Sequence, residues 1–217
     1  TDVQLQWDPE NYGNVHSIQI PASQLWKPDI VPYNALQQSY EVSFDALAVV
    51  TPLGVVTWIP MIRLETSCPL DMHRFPYDEH TCSIKFGSWA HDDQKLNISF
   101  AGSSIPEMSF YKSHLEWDVV DKKGQLVVRY YPCCPNNGYP EITYDVTLRR
   151  RPGYLNHVFI APAVILAFLV PVLFLLPPDG GEKITMGSGI MVTLMLLMLM
   201  LENFMPTAHP KVPIIGL

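Results

Sequence analysis

Two stretches of this 217-residue chain contain no charged side chain: the 19 residues from Val158 to Leu176 and the 18 from Ile184 to Leu201. As α-helices rising 1.5 Å per residue they run roughly 27–29 Å, about the hydrocarbon thickness of a bilayer. A core helix of that length in water keeps a polar face, and neither run has a continuous one. The pattern predicts membrane spans at 154–177 and 182–204, with 211–217 opening a third. The segment Pro177–Lys183 between them is too short for anything but a tight reversal, so the helices are antiparallel neighbours. Pro206, Pro210 and Pro213 stiffen the connection that follows. Only two of the 14 Lys/Arg and three of the 21 Asp/Glu lie beyond residue 153, so the charge belongs to the first part of the chain.

That first part, 1–153, reads as an all-β sandwich. Short apolar or alternating runs (Val42–Val50, Val55–Leu64, Cys82–Phe86, Leu96–Phe100, Leu126–Tyr131, Ile142–Leu148) are broken by Pro, Gly, Asn and Asp. They are rich in Thr, Val, Ile and aromatics, as half-buried strands are. No helical periodicity of any length precedes Tyr154. Four cysteines and the sequon Asn97-Ile98-Ser99 point to an oxidising, extracellular compartment. A net charge of −7 argues against a nucleic-acid partner, which demands clustered Lys/Arg, and is compatible with a cationic ligand.

Cys68 and Cys82 enclose Pro69–Thr81, a loop whose closure stabilises a fold by about 3 kcal/mol. Its apolar tip Phe75-Pro76, followed by Tyr77-Asp78, is suited to press on something beneath. Four cysteines allow three pairings. Adjacent Cys133 and Cys134 seldom both find distant partners, and a vicinal disulfide between them would stiffen a loop tip. No second Cys/His pair stands at ligand spacing, so neither a metal nor a cofactor is expected. Tyr130, Tyr131 and Tyr139 surround the tip, with Tyr33 and Trp89 distant in sequence. Each alone suits a sandwich core; converged, they form a box that attracts an amine cation. In the second span Glu182, Thr185, Gly189, Val192, Leu196, Leu199 and Asn203 recur at spacings of three and four and so share one helical face. A carboxylate at the border of such a face, repeated around a ring, concentrates cations, and an apolar middle gates by dewetting.

Trp26-Lys27-Pro28-Asp29 with Tyr33, Phe75-Pro76-Tyr77-Asp78 between cysteines, Phe86-Gly87-Ser88-Trp89, Tyr131-Pro132-Cys133-Cys134 with Tyr139, Arg149-Arg150-Arg151 and Gly181-Glu182-Lys183 together resemble the alpha-type subunits of the nicotinic acetylcholine receptors, pentameric Cys-loop ligand-gated channels. The resemblance runs from within the second strand of that family to the start of its third span. It implies an extracellular ligand-binding β-sandwich followed by transmembrane α-helices in the plasma membrane, and homo- or hetero-pentamers with like subunits. It also implies acetylcholine or a similar amine as ligand and cations as the permeant species. By the same resemblance Tyr33, Trp89, Tyr131 and Tyr139 form the box and Cys133–Cys134 cap it. Val49, Thr57 and Ile59 face a neighbour's ligand. Lys85 and Glu141 link the capping loop to the sheet, while Phe75, Pro76, Asp78 and Arg150 couple the domains. The acidic partner of Arg150 is expected in an N-terminal segment preceding Thr1.

The chain departs from the family pattern at several points. Val192 stands at the gate leucine, Gly187 and Gly189 flank Ser188 at roughly 1 kcal/mol each against Ala, and Asn203 replaces an outer glutamate. Glu202 sits one residue early, about 100° around the helix. An anion channel of the same fold would carry Pro-Ala-Arg before the second span, where this chain has Gly-Gly-Glu182-Lys183. An assembling but agonist-silent subunit is the alternative reading, and a membrane-anchored adhesion sandwich leaves the graded second span unexplained. His73, His80 and His91 form no nucleophile–base pair, so an enzyme is not expected.

Overall fold

The computed structural model describes residues 1–36, 41–177 and 181–204. Nine strands are present among them: β1 (Ile18–Pro21), β2 (Ile30–Pro32), β3 (Glu41–Phe44), β4 (Leu47–Val50), β5 (Val56–Thr57), β6 (Met61–Arg63), β7 (Glu79–Ser88), β8 (Trp117–Tyr131) and β9 (Cys134–Arg150). They form sheets ordered β1-β4-β5 and β2-β7-β9-β8, with β3-β6 as a separate ribbon. Two helices follow, α1 (Gly153–Leu175) and α2 (Glu182–Phe204). Both are long and apolar enough to cross a membrane. The start of a third span at 211–217 lies outside the described residues.

The chain divides into two compact units. One gathers Thr1–Ser67, Ser83–Pro106 and Lys123–Tyr144; the other gathers Cys68–Cys82, Glu107–Lys122 and Asp145–Leu217. This grouping cuts across the boundary read at residue 153. In the first unit the buried apolar side chains are Ala22, Ala48, Val50 and Ile142. In the second, Met72, Phe75, Leu155 and Phe159 form one buried cluster, against which Leu70, Val158 and Leu201 pack. The apolar tip of the cysteine loop is therefore a core element of the unit that holds the helices. Cys68 and Cys82 are bonded, and the Phe75–Pro76 peptide is cis.

Several strand boundaries differ from the sequence reading. Val42–Val50 is broken at Asp45-Ala46, so β3 pairs with β6 while β4 pairs with β1 and β5. Val55–Leu64 is interrupted at Trp58-Ile59-Pro60, where proline has no N–H to give a ladder. Leu96–Phe100 forms no strand, although its burial alternates as a strand's would. The last three strands run well beyond the segments read from sequence.

Within the second unit, α1 passes through a π-type turn at Asn156–Ile160 before Pro162, and tightens to a 3₁₀ turn at Leu173–Leu175 just after Pro171. Along α2, Lys183, Met186, Gly187, Ile190, Leu197 and Leu201 are the covered positions, spaced by one helical face, and a Cβ at position 187 would lie 3.8 Å from Leu173 of α1.

Candidate ligand-binding site

The aromatic residues singled out from sequence come together in the first unit. Tyr33, Asn34, Lys85, Ser88, Trp89, Arg129, Tyr131, Cys133, Tyr139 and Glu141 line a cavity of about 700 Å³. The Tyr33 and Trp89 ring centroids are 6.4 Å apart, edge to face, and those of Tyr131 and Tyr139 are 5.5 Å apart in the same manner. Trp89 is 76% exposed, so its ring is not used up in core packing. Period-two alternation explains the convergence: Lys85 and Trp89 share a face of the β7 segment, Arg129 and Tyr131 a face of β8, and Tyr139 and Glu141 a face of β9.

Asp29 holds the Trp89 loop. Its carboxylate accepts hydrogen bonds from Ser88 Oγ at 2.6 Å and from the Ala90 N–H at 2.7 Å, and it pairs with His91 Nδ1 at 2.9 Å. The Trp89 N–H donates to the Asp29 carbonyl at 3.3 Å. These bonds, the one from Ser88 foremost, lower the Asp29 pKa to about 2. Tyr33 reaches under the same loop, its hydroxyl donating to the Ser88 carbonyl at 2.5 Å. A Cβ at position 87 would lie 2.5 Å from that hydroxyl, so Gly87 is what admits the tyrosine. Burial, together with the nearby charge-bearing groups Tyr131, Glu141 and Asp29, pushes the Tyr33 pKa up, so the phenol keeps its proton.

The capping loop is tied to the segment after Trp89 by two bonds: the Asp93 N–H donates to the Gly138 carbonyl at 2.8 Å, and Asn137 Nδ2 to Asp92 Oδ2 at 2.8 Å. Cys133 and Cys134, expected to form a vicinal disulfide, lie side by side at the tip without that bond. They are two thiols with sulfurs 2.9 Å apart, against about 2.05 Å for a bond. Cys133 lies in the turn and Cys134 opens β9, a geometry that brings the sulfurs into contact without joining them.

Lys85 and Glu141, expected to link the capping loop to the sheet, both line the cavity. Glu141, 2% exposed, accepts from Arg129 Nε at 2.8 Å and from Thr143 Oγ1 at 3.2 Å. Arg129 was not singled out from sequence, although its place two residues before Tyr131 puts it on the same face. Val49 and Thr57 are partners across β4 and β5, in the other sheet, and Ile59 is 79% exposed two residues further on. None of these three lines the cavity. Asn97 is exposed, as a glycosylation acceptor must be.

In the second unit Arg150 pairs with Asp78, an acidic partner that the sequence reading did not name. The guanidinium bonds Asp78 twice, Nε to Oδ1 and Nη2 to Oδ2, and lies 4.2 Å from the Trp117 ring centre and 5.2 Å from that of Phe75. Asp78 also pairs with His80 Nε2 at 2.5 Å. Burial would raise the Asp78 pKa, but the bonds from Arg150 and His80 outweigh it and hold the carboxyl below its ordinary value. Pro76 follows Phe75 at the loop tip. On α2, Glu182, Thr185, Gly189, Val192, Leu196, Leu199 and Asn203 are all exposed. Thr185 Oγ1 and Asn203 Nδ2 donate to carbonyls of the preceding turn.

The chain thus combines an aromatic-lined cavity beside β-sheets with two helices long and apolar enough to cross a membrane. Residues 1–152 match the neurotransmitter-gated ion-channel ligand binding domain, and the chain belongs to that family, one of ligand-gated channels rather than enzymes. It is 34% identical over 215 residues to the neuronal acetylcholine receptor subunit alpha-6 of Mus musculus, covering 99% of this chain and 43% of the relative. It is 35% identical over 215 residues to the acetylcholine receptor subunit alpha-1-B of Xenopus laevis, covering 99% and 47%. The neuronal acetylcholine receptor subunit beta-3 of Rattus norvegicus is 34% identical over 219 residues, covering 100% and 46%. The chain thus spans less than half the length of these relatives.

Proposed function

We propose that this chain is part of a plasma-membrane channel subunit that binds acetylcholine or a similar amine outside the cell and opens a cation-selective pore. The observation that carries the reading is the convergence of Tyr33, Trp89, Tyr131 and Tyr139 on one cavity, with the Trp89 ring left open. Such rings attract a desolvated ammonium through their quadrupoles, by up to about 2 kcal/mol per face. Like subunits supply the other wall through Val49, Thr57 and Ile59, in a pentamer whose α2 helices surround the pore. β9 is continuous from Tyr139 at the site to Arg150, and the Arg150–Asp78 pair with Phe75 and Pro76 passes the movement to the helices.

The test is agonist-evoked current from the full-length subunit in oocytes. Acetylcholine or a related amine is expected to evoke a cation current. Surface assembly without any agonist current would favour the silent-subunit reading, to which Val192 and the glycines at 187 and 189 lend weight.

A further inference from the structure

The cavity has a charged row beside its aromatic one. In the sheet order β2-β7-β9-β8, Lys85, Glu141 and Arg129 sit on neighbouring strands, and Trp89, Tyr139 and Tyr131 lie on the same face. The shortest step between the rows is two residues along a strand, or about 7 Å. The charged row holds two cations against one carboxylate.

That carboxylate is already committed. Glu141 is 2% exposed, and its two oxygens take Arg129 Nε and Thr143 Oγ1. Arg129 is half-exposed and meets Glu141 through Nε, so its two terminal amino groups remain to face the cavity. Lys85 makes no ion pair among the described residues. The other nearby carboxylates are held outside the cavity lining: Asp29 by Ser88, Ala90 and His91, and Asp92 by Asn137. A ligand that is only a cation would meet the rings and also an excess of positive charge.

We propose that the site takes a zwitterion, with an alkylammonium head against the rings and a carboxylate against Arg129 and Lys85. A planar guanidinium presents paired N–H donors that match a carboxylate, and such charge-assisted bonds are among the strongest a site offers. The inference rests on the amine-site reading above and narrows its ligand class.

Choline and glycine betaine test it, because they share a trimethylammonium head and differ in carrying a hydroxyl or a carboxylate. Competition binding is measured on the full-length subunit at the surface of cells. Betaine is expected to bind about tenfold more tightly than choline. Arg129→Gln should abolish that preference while choline binding persists. Since this variant leaves Glu141 without its partner, Arg129→Gln with Glu141→Gln restores a neutral pair and must abolish the preference equally. Tighter binding of choline by the wild type, or a betaine preference that survives both variants, overturns the inference and leaves the amine site standing. Binding of neither probe to receptors that reach the surface overturns the amine site, and the inference falls with it.

Discussion

Arg150 grips Asp78 with both ends of its fork, Nε at 2.8 Å from one carboxylate oxygen and Nη2 at 3.0 Å from the other, and both side chains are largely shielded from water. Removing one partner of such a pair leaves an uncompensated buried charge, at about 3–5 kcal/mol. Asp78→Asn is therefore expected to lower surface expression sharply and to reduce the melting temperature of the solubilised protein. Arg150→Lys keeps the charge but loses the fork and the flat contact with Trp117, and should fall between the Asp78→Asn variant and wild type. Equal melting temperatures for all three proteins would show that the pair contributes nothing to the fold.

Trp89→Ala is expected to weaken tetramethylammonium binding at least about 30-fold, the equivalent of one desolvated ring face. Trp89→Phe keeps a weaker quadrupole and should retain part of that affinity. Competition binding on surface receptors measures both. An alanine variant with unchanged affinity removes the aromatic box from the account.

The four rings were legible in the sequence through the motifs that carry the family resemblance, since each aromatic taken alone suited a sandwich core equally well. The pairing of the strands was less legible. At Leu96–Phe100 burial alternates, with Phe100 lying 6.0 Å from the Tyr144 ring, yet no ladder forms. Alternation reports which side chains are covered, not whether the backbone finds a neighbour. Long-range ionic choices were hidden for a different reason. Arg150 and Asp78 are 72 residues apart, and Arg129 rather than Lys85 takes Glu141, so only the three-dimensional register decides which cation meets which carboxylate.

Asp29 makes loop stability depend on acid. Its folded pKa is about 2 against an ordinary 3.8, so the stabilisation is fully present above the ordinary value and is lost as pH falls from about 4 to about 2. Asp29→Asn should remove that part of the acid sensitivity and loosen the Trp89 loop at neutral pH. Tryptophan fluorescence followed through an acid titration checks it, and superimposable wild-type and variant curves below pH 4 would contradict the assignment.

Cys133 and Cys134 hold their sulfurs 2.9 Å apart, so oxidation to the vicinal disulfide needs an approach of under an ångström. We expect receptor recovered from the cell surface to carry that bond, read as a peptide two hydrogens lighter by mass spectrometry under non-reducing conditions. Its reduction should weaken amine binding, because the loop tip that carries Tyr131 and Tyr139 would lose a constraint. A surface receptor with both thiols free and full affinity would leave the pair no role at the site.

Glu182 is the test of the pore. On α2, Lys183, Met186, Gly187, Ile190, Leu197 and Leu201 are the covered positions, and the face from Glu182 through Val192 to Asn203 is centred roughly 140° around the helix from theirs. A face turned away from its own subunit's packing is free to line a shared axis. In a symmetric ring Glu182 would then recur once per subunit at the mouth of the hole, drawing cations and turning anions back. Glu182→Gln keeps the shape and removes the charge, so under a sodium chloride gradient the reversal potential should move toward that of chloride. Glu202, about 100° from Asn203 on the same helix, points away from that line, and Glu202→Gln should move the potential less. A reversal potential indifferent to Glu182 but sensitive to Glu202 would mean that the helix is rotated and a different face meets the ions.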